Sequence, residues 1–157
     1  MKIGVTGHQK RDGIDWAWVR SRIDSYLTGK PIVLGYSSLA VGTDQVFAEA
    51  VLEVSGKLTA VIPMEGYASQ FEGEQRQHYE RLLSEAQAVD LRSKKPDEGA
   101  FLDAGKWIAR ETDRLVAVWD GEEAQGRGGT ADIVAYALSL NRPVHHIDPI
   151  KQAVRDL

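Results

Sequence analysis

The chain has 157 residues, 43% hydrophobic and 27% charged. That balance fits one ordinary globular domain over residues 1–157 rather than a disordered or membrane chain. It has no cysteine, which excludes disulfides, a thiol nucleophile and cysteine-ligated zinc or iron–sulfur chemistry, and its formal net charge of −4 lacks the cationic footprint of a protein that lives on a polyphosphate backbone, so nucleic acid is not the expected partner.

Lys2–Thr6 reads as the first strand; the apolar run ahead of Gly7 is too short for a signal peptide or a membrane span, and the expected address is the cytoplasm. A helix with Trp16, Val19, Ile23, Tyr26 and Leu27 on one side follows, then a strand over Pro31–Gly35. Trp16 and Trp18 lie two apart and cannot share one stripe, which predicts an exposed aromatic patch and self-association as a homodimer or higher oligomer. The next helix starts near Gly42 and carries Val46, Phe47, Ala50, Val51 and Val54; Leu58–Ile62 is a strand that Pro63 stops. Met64–Gly73 is a loose stretch, Tyr79, Leu82, Leu83 and Ala86 mark a helix, and Ala88–Leu91 is a short strand. Arg92–Glu98 reads as a polar loop, its Arg92, Lys94 and Lys95 as a solvated basic cluster. Phe101, Gly105, Ile108 and Thr112 outline another helix, before the β-branched run Arg114–Trp119, of the kind buried on both faces of a parallel sheet. A helix from Thr130, with Ile133, Val134, Ala137 and Leu138, a strand over Pro143–Ile147 and a short terminal helix or tail over 149–157 complete the chain. Strand and helix alternate throughout, which predicts an α/β fold: a three-layer Rossmann-like domain with a mostly parallel sheet of about six strands.

In such sheets ligands sit beyond the carboxyl ends of the strands. The segments there are Gly7-His8-Gln9, Gly35-Tyr36-Ser37-Ser38, Pro63-Met64-Glu65-Gly66-Tyr67 and Asp120-Gly121 with the tract Gly126-Arg127-Gly128-Gly129-Thr130-Ala131-Asp132. The opposite rim carries plain helix-stop signals such as Thr28-Gly29-Lys30 and Ser55-Gly56-Lys57. Gly128 and Gly129 would let backbone N–H groups approach a phosphate at a helix start that the Thr130 hydroxyl can cap. Ser38, Gly42 and Asp44 open the second helix, where Asp44 either accepts from a ribose hydroxyl or simply occupies a first helical turn. His8 is a candidate phosphate donor or acid–base group, and Tyr67 or Tyr36 a stacking platform for a base. No glycine loop ends in Gly-Lys-Ser/Thr and Gly4-Val5-Thr6-Gly7 is no full dinucleotide fingerprint, so ATP hydrolysis is not expected. His145 and His146 alternate across a strand and cannot readily share a metal; neither metal nor cofactor is implied.

Val5-Thr6-Gly7-His8, Ser38-Leu39-Ala40-Val41-Gly42-Thr43-Asp44, Val61-Ile62-Pro63 and Gly128-Gly129-Thr130-Ala131-Asp132 fall in an order that resembles the SLOG superfamily, the Rossmann-like group named after the Smf/DNA-processing protein A and LONELY GUY families. The resemblance implies a nucleotide or nucleotide-derived ligand at this rim; from their position there, Gly7, His8, Ser38, Gly42, Asp44, Tyr67, Gly128, Gly129 and Thr130 are the residues expected to bind it. It also implies two alternatives: N-glycosidic cleavage of nucleoside 5′-monophosphates, as in the often dimeric LONELY GUY branch, and sensing of an NAD-derived signal. The catalytic glutamate of that branch lies three residues after the motif's threonine, where this chain has Ile133. Asp132, rotated from it by about 100° on a helix, Asp120 and Glu65 are the remaining rim carboxylates for a hydrolytic role.

Overall fold

A computed structural model of the chain describes residues 1–123 and 129–157. In chain order the elements are β1 (Lys2–Gly7), α1 (Trp16–Leu27), β2 (Leu34–Ser37), α2 (Thr43–Glu53), β3 (Lys57–Ile62), a 3-10 turn (Tyr67–Gln70), α3 (Gly73–Ser84), β4 (Ala86–Asp90), α4 (Asp97–Glu111), β5 (Arg114–Val118), α5 (Thr130–Ser139), β6 (Val144–Asp148) and β7 (Ala153–Asp156). The strands form one sheet in the order β4-β3-β2-β1-β5-β6-β7. All pairs are parallel except β6 with β7. The chain first winds outward from β1 to β4, then returns to lay β5 on the other side of β1. That reversal opens a crevice between the carboxyl ends of β1 and β5.

The apolar periodicities explain the layers. Val19, Ile23 and Leu27 of α1 and Phe47 and Val51 of α2 are buried against Ile3, Val5 and Leu58 of the sheet. Ile108 of α4 and Ile133 and Val134 of α5 pack with Leu115, Ala117 and Val144 on the other face. β5 sits between the two layers, and its Leu115, Val116, Ala117 and Val118 are all inaccessible, as the unbroken apolar run predicts.

Three local expectations change. Residues 153–156 are a seventh strand, antiparallel to β6, rather than a terminal helix or tail. The second strand runs over Leu34–Ser37 instead of Pro31–Gly35, because Pro31 has no N–H for a ladder and Ile32 is 65% exposed. Trp16 and Trp18 are both only half-exposed and pack against the core beneath α1, with the Arg22 guanidinium 5.9 Å from the Trp18 ring centre, so they form no bare aromatic patch. No helix among the described residues is long and apolar enough to cross a membrane.

Candidate functional site

The floor of the site is set by how the segment after β1 meets the start of α2. His8 N–H donates to Val118 O at 3.0 Å, and His8 O accepts from both the backbone N–H (3.2 Å) and the hydroxyl (2.9 Å) of Thr43. This close approach needs two glycines. A Cβ on Gly7 would lie 2.6 Å from Thr43 and from Val118 O; one on Gly42, whose φ is +90°, would lie 2.4 Å from Gln9 O. Gly42 thus holds the walls of the cleft together, and it lines neither of the two lobes described next.

The inner lobe, about 90 Å³, lies over the ends of β1 and β3. Its polar lining is Thr6, Gln9, Ser38, Asp44, Tyr67 and Thr130, and its apolar side includes Phe101, Ile108 and Ile133. Ile133 is 2% exposed and covers Gly105 of α4, so the helix face that would present a carboxylate in the LONELY GUY pattern presents an alkyl group here. The Asp44 carboxylate accepts the Ala40 N–H at 3.3 Å, and the Ser37 hydroxyl donates to Asp44 O at 3.0 Å. Burial pushes the Asp44 carboxyl up to about 7, against the opposing pull of the Ala40 and Ser38 backbone. Burial, with the neighbouring Asp44 charge, also pushes the Tyr67 phenol far above its ordinary range. Its ring is wedged edge-on among Phe71, Tyr79 and Phe101, with centroids 5.2, 5.7 and 6.2 Å away. With 4% of its surface exposed, Tyr67 has no free face for a base.

The outer lobe is larger, about 650 Å³, and shares Gly7, Gln9 and Thr130 with the inner one. One wall is the start of α5. Thr130 is the first helical residue and Gly129 the cap residue; contrary to expectation, the Thr130 hydroxyl does not cap this end, nor does any other side chain among the described residues. The N–H groups of Asp132 and Ile133 turn back to Gly129 O at 3.1 and 3.4 Å. Thr130 and Ala131 also line the lobe, and their N–H groups, at the positive end of the helix dipole, find no partner among the described residues.

The opposite wall is His8, Arg11, Asp120, Glu122 and Glu123. Asp120 N–H donates to His8 Nε2 at 3.2 Å, and burial holds the imidazole below its ordinary range, with Arg11 adding to the effect and Asp120 opposing it. This ring nitrogen is an acceptor, and protonating it would break the bond. Burial alone would raise the Asp120 carboxyl. The Glu122 N–H (3.0 Å), Arg11 Nε (3.3 Å) and the neighbouring His8 instead hold it below the usual carboxylate range. Behind this wall Trp119 packs on His146 at 4.1 Å; His146 Nε2 donates to Trp119 O at 2.9 Å and its Nδ1 accepts from Arg155 at 3.2 Å.

Of the residues singled out from sequence, Gly7, His8, Ser38, Asp44, Tyr67, Asp120, Gly129 and Thr130 line the two lobes. Glu65 is exposed beside the left-handed Gly66 and Asp132 is exposed on the outer side of α5; neither lines them. Tyr36 packs at 6.2 Å on Trp107 and lines a trough over β2, β3 and β4 instead. Gly128 lies outside the described residues. Sequence reasoning placed Gln9 at the rim without giving it a role, missed Arg11, three residues after His8, and read Phe101 and Ile108 only as helix residues, since their spacing marks core and wall alike. Among the described residues no three His, Asp or Glu side chains gather to hold a metal.

No family model and no curated protein sequence matches the chain. Solved structures do. DNA processing protein A from Helicobacter pylori, described for its single-stranded DNA binding mode, superposes with a TM-score of 0.68 at 12% identity, over 94% of this chain and 65% of that one. The chain shares the Rossmann-like α/β fold of these proteins. DNA processing protein A from Streptococcus pneumoniae matches with a TM-score of 0.67 at 20% identity, over 94% of this chain and 50% of that one. TM1055, a structural-genomics target, matches at 0.57 and 17% identity, over 91% and 71%. The chain thus spans between half and two thirds of the DNA processing protein A chains. The expectation drawn from net charge, that nucleic acid is an unlikely partner, is overturned: DNA processing protein A, of the same fold, is described for binding single-stranded DNA. Net charge averages over the whole surface, whereas contact depends on the local charge where the partner sits.

Proposed function

We propose that the cleft binds a phosphorylated riboside, a nucleotide or nucleotide-derived compound, with its phosphate on the N-terminus of α5. The observation that carries this reading is the uncapped helix start, whose Thr130 and Ala131 N–H groups face a cleft at the reversal point of the sheet. Arg11 stands across the same lobe as a cation paired with Asp120. Binding is proposed rather than N-glycosidic cleavage because Ile133 occupies the catalytic glutamate position and, of the three carboxylates considered for that role, only Asp120 lines the cleft, already engaged by Arg11 and Glu122 N–H.

Thermal unfolding against ribose 5-phosphate, nucleoside monophosphates, NAD and ADP-ribose tests the reading. A ligand at one hundred times its dissociation constant adds about 2.7 kcal/mol, or about 5 to 11 °C for a chain of this size. A shift confined to phosphorylated ribosides is expected; no shift with any of them contradicts the proposal.

One observation favours a second reading, the end of a nucleic-acid single strand. Beyond Gln9 and Arg11 the outer lobe continues into a groove of about 520 Å³ lined by Lys10, Trp16 and His78, a cation-and-aromatic combination suited to phosphate and base. An oligo(dT) titration at two salt concentrations separates the readings: a strand following that groove binds more tightly than any mononucleotide and weakens steeply with salt.

A further inference from the structure

We infer that the inner lobe is a sugar pocket that reads a ribose 2′-hydroxyl through Asp44, so that the site prefers ribosides to their 2′-deoxy counterparts. The inference rests on the nucleotide reading above and adds to it an orientation, sugar inward and base outward, together with a substrate class.

Size decides the first part. An engineered cavity of about 150 Å³ holds a benzene, so a lobe of about 90 Å³ is too small for a purine or pyrimidine ring but admits the hydroxyl edge of a sugar entering from the outer lobe. It cannot enlarge cheaply: Gly7 is pressed against Thr43, Ile133 fills the space over Gly105, and the Tyr67 ring is fixed between Phe71, Tyr79 and Phe101.

Chemistry decides the second part. Among the described residues the inner lobe is lined by one carboxylate, that of Asp44, by the hydroxyls of Thr6, Ser38, Tyr67 and Thr130, and by no cation. A phosphate driven inward would meet Asp44 with no compensating charge; a hydroxyl there would find an acceptor. The outer lobe carries Asp120, Glu122 and Glu123 as well, but unlike the inner one it sets a cation, Arg11, and the backbone donors of α5 beside them, and Thr130 borders both lobes. One ligand can therefore hold its phosphate on α5 and its sugar hydroxyls on Asp44.

The test compares AMP with 2′-deoxy-AMP by isothermal titration, on the wild-type protein and on Asp44→Asn. The asparagine oxygen can still accept the Ala40 N–H, and the variant's unfolding without ligand reports whether the fold is kept. A hydrogen bond to a charged group accounts for about a 10- to 100-fold preference for AMP in the wild type, and that preference is expected to vanish in Asp44→Asn. Equal binding of AMP and 2′-deoxy-AMP by the wild type overturns the inference while leaving the nucleotide reading standing. A preference that persists in a folded Asp44→Asn overturns the role of Asp44. If AMP, ribose 5-phosphate and ADP-ribose all fail to bind, the nucleotide reading falls and takes this inference with it.

Discussion

The two lobes of the cleft share Gly7, Gln9 and Thr130, yet they are built on opposite terms. The inner lobe is small, walled by packed core residues, and places a carboxylate where burial holds it near half-protonation at neutral pH. The outer lobe is several times larger, ringed by exposed loop side chains, and offers backbone donors at a helix start with no side-chain cap. The difference teaches that one rim can carry two chemistries, and the acceptor pocket within and the anion seat without that we propose should each respond differently to substitution.

The largest expected effect comes from breaking what joins the two lobes. Gly42→Val places a branched side chain at φ +90° with its Cβ 2.4 Å from Gln9 O. Strain and overpacking together should cost about 2–5 kcal/mol, read as a lowered denaturant midpoint. Ile133→Ala follows, at about 2–4 kcal/mol, because it removes a buried side chain packed against Gly105 and opens the inner lobe. If the inner lobe is the rigid one, this variant should also lose discrimination among sugars before it loses phosphate binding.

Gly129→Asp sharpens the contrast by giving opposite signs. The backbone there, at φ −68° and ψ 161°, accepts any residue, and an aspartate cap should raise stability by a few tenths to about 1 kcal/mol. The same carboxylate occupies the anion seat and should weaken phosphate binding about 10- to 100-fold. Unchanged affinity would remove the phosphate from α5.

The most gradual effect is the pH response of Asp44. Its folded-state carboxyl is raised to about 7 from an ordinary value of 3.8, so the folded state binds more protons than the unfolded one between those values. Stability should therefore fall as pH rises from about 4 to 7 and then level off, a loss on the order of 1–2 kcal/mol after allowance for partial solvent access. Riboside affinity should run the other way and rise through pH 7 as the acceptor ionises. Tyr67, the other titratable side chain lining the inner lobe among the described residues, stays protonated throughout because its phenol is pushed upward. Asp44→Asn should flatten both profiles.

Much of the fold was legible because its signals are redundant. β5 announces itself as Leu115-Val116-Ala117-Val118, and α1 and α2 carry plain apolar stripes. β7 was not legible: Ala153-Val154-Arg155-Asp156 is exposed at every position, and the strand forms because the free edge of β6 offers hydrogen bonds, not because its own pattern demands it. The rim was readable as a location, since the unusual loops cluster at one end of the strands. Roles within it were not. Tyr67 reads as a stacking aromatic until its neighbours Phe71, Tyr79 and Phe101 are placed around it, and Gly42 as a ligand contact until Gln9 is found pressed against it. Both depend on residues remote in sequence. Thr130 as a cap fails by one position: helix α5 begins at Thr130 itself, which leaves Gly129, with no side chain to offer, in the cap position.

The most direct test of the account is calorimetric titration of AMP into the wild-type protein and into Gly129→Asp at pH 7.5, with thermal unfolding of both. The account predicts saturable binding to the wild type and a drop in affinity of about 10- to 100-fold in a variant that is at least as stable. Equal affinity for the two proteins, or no binding to the wild type, would contradict it.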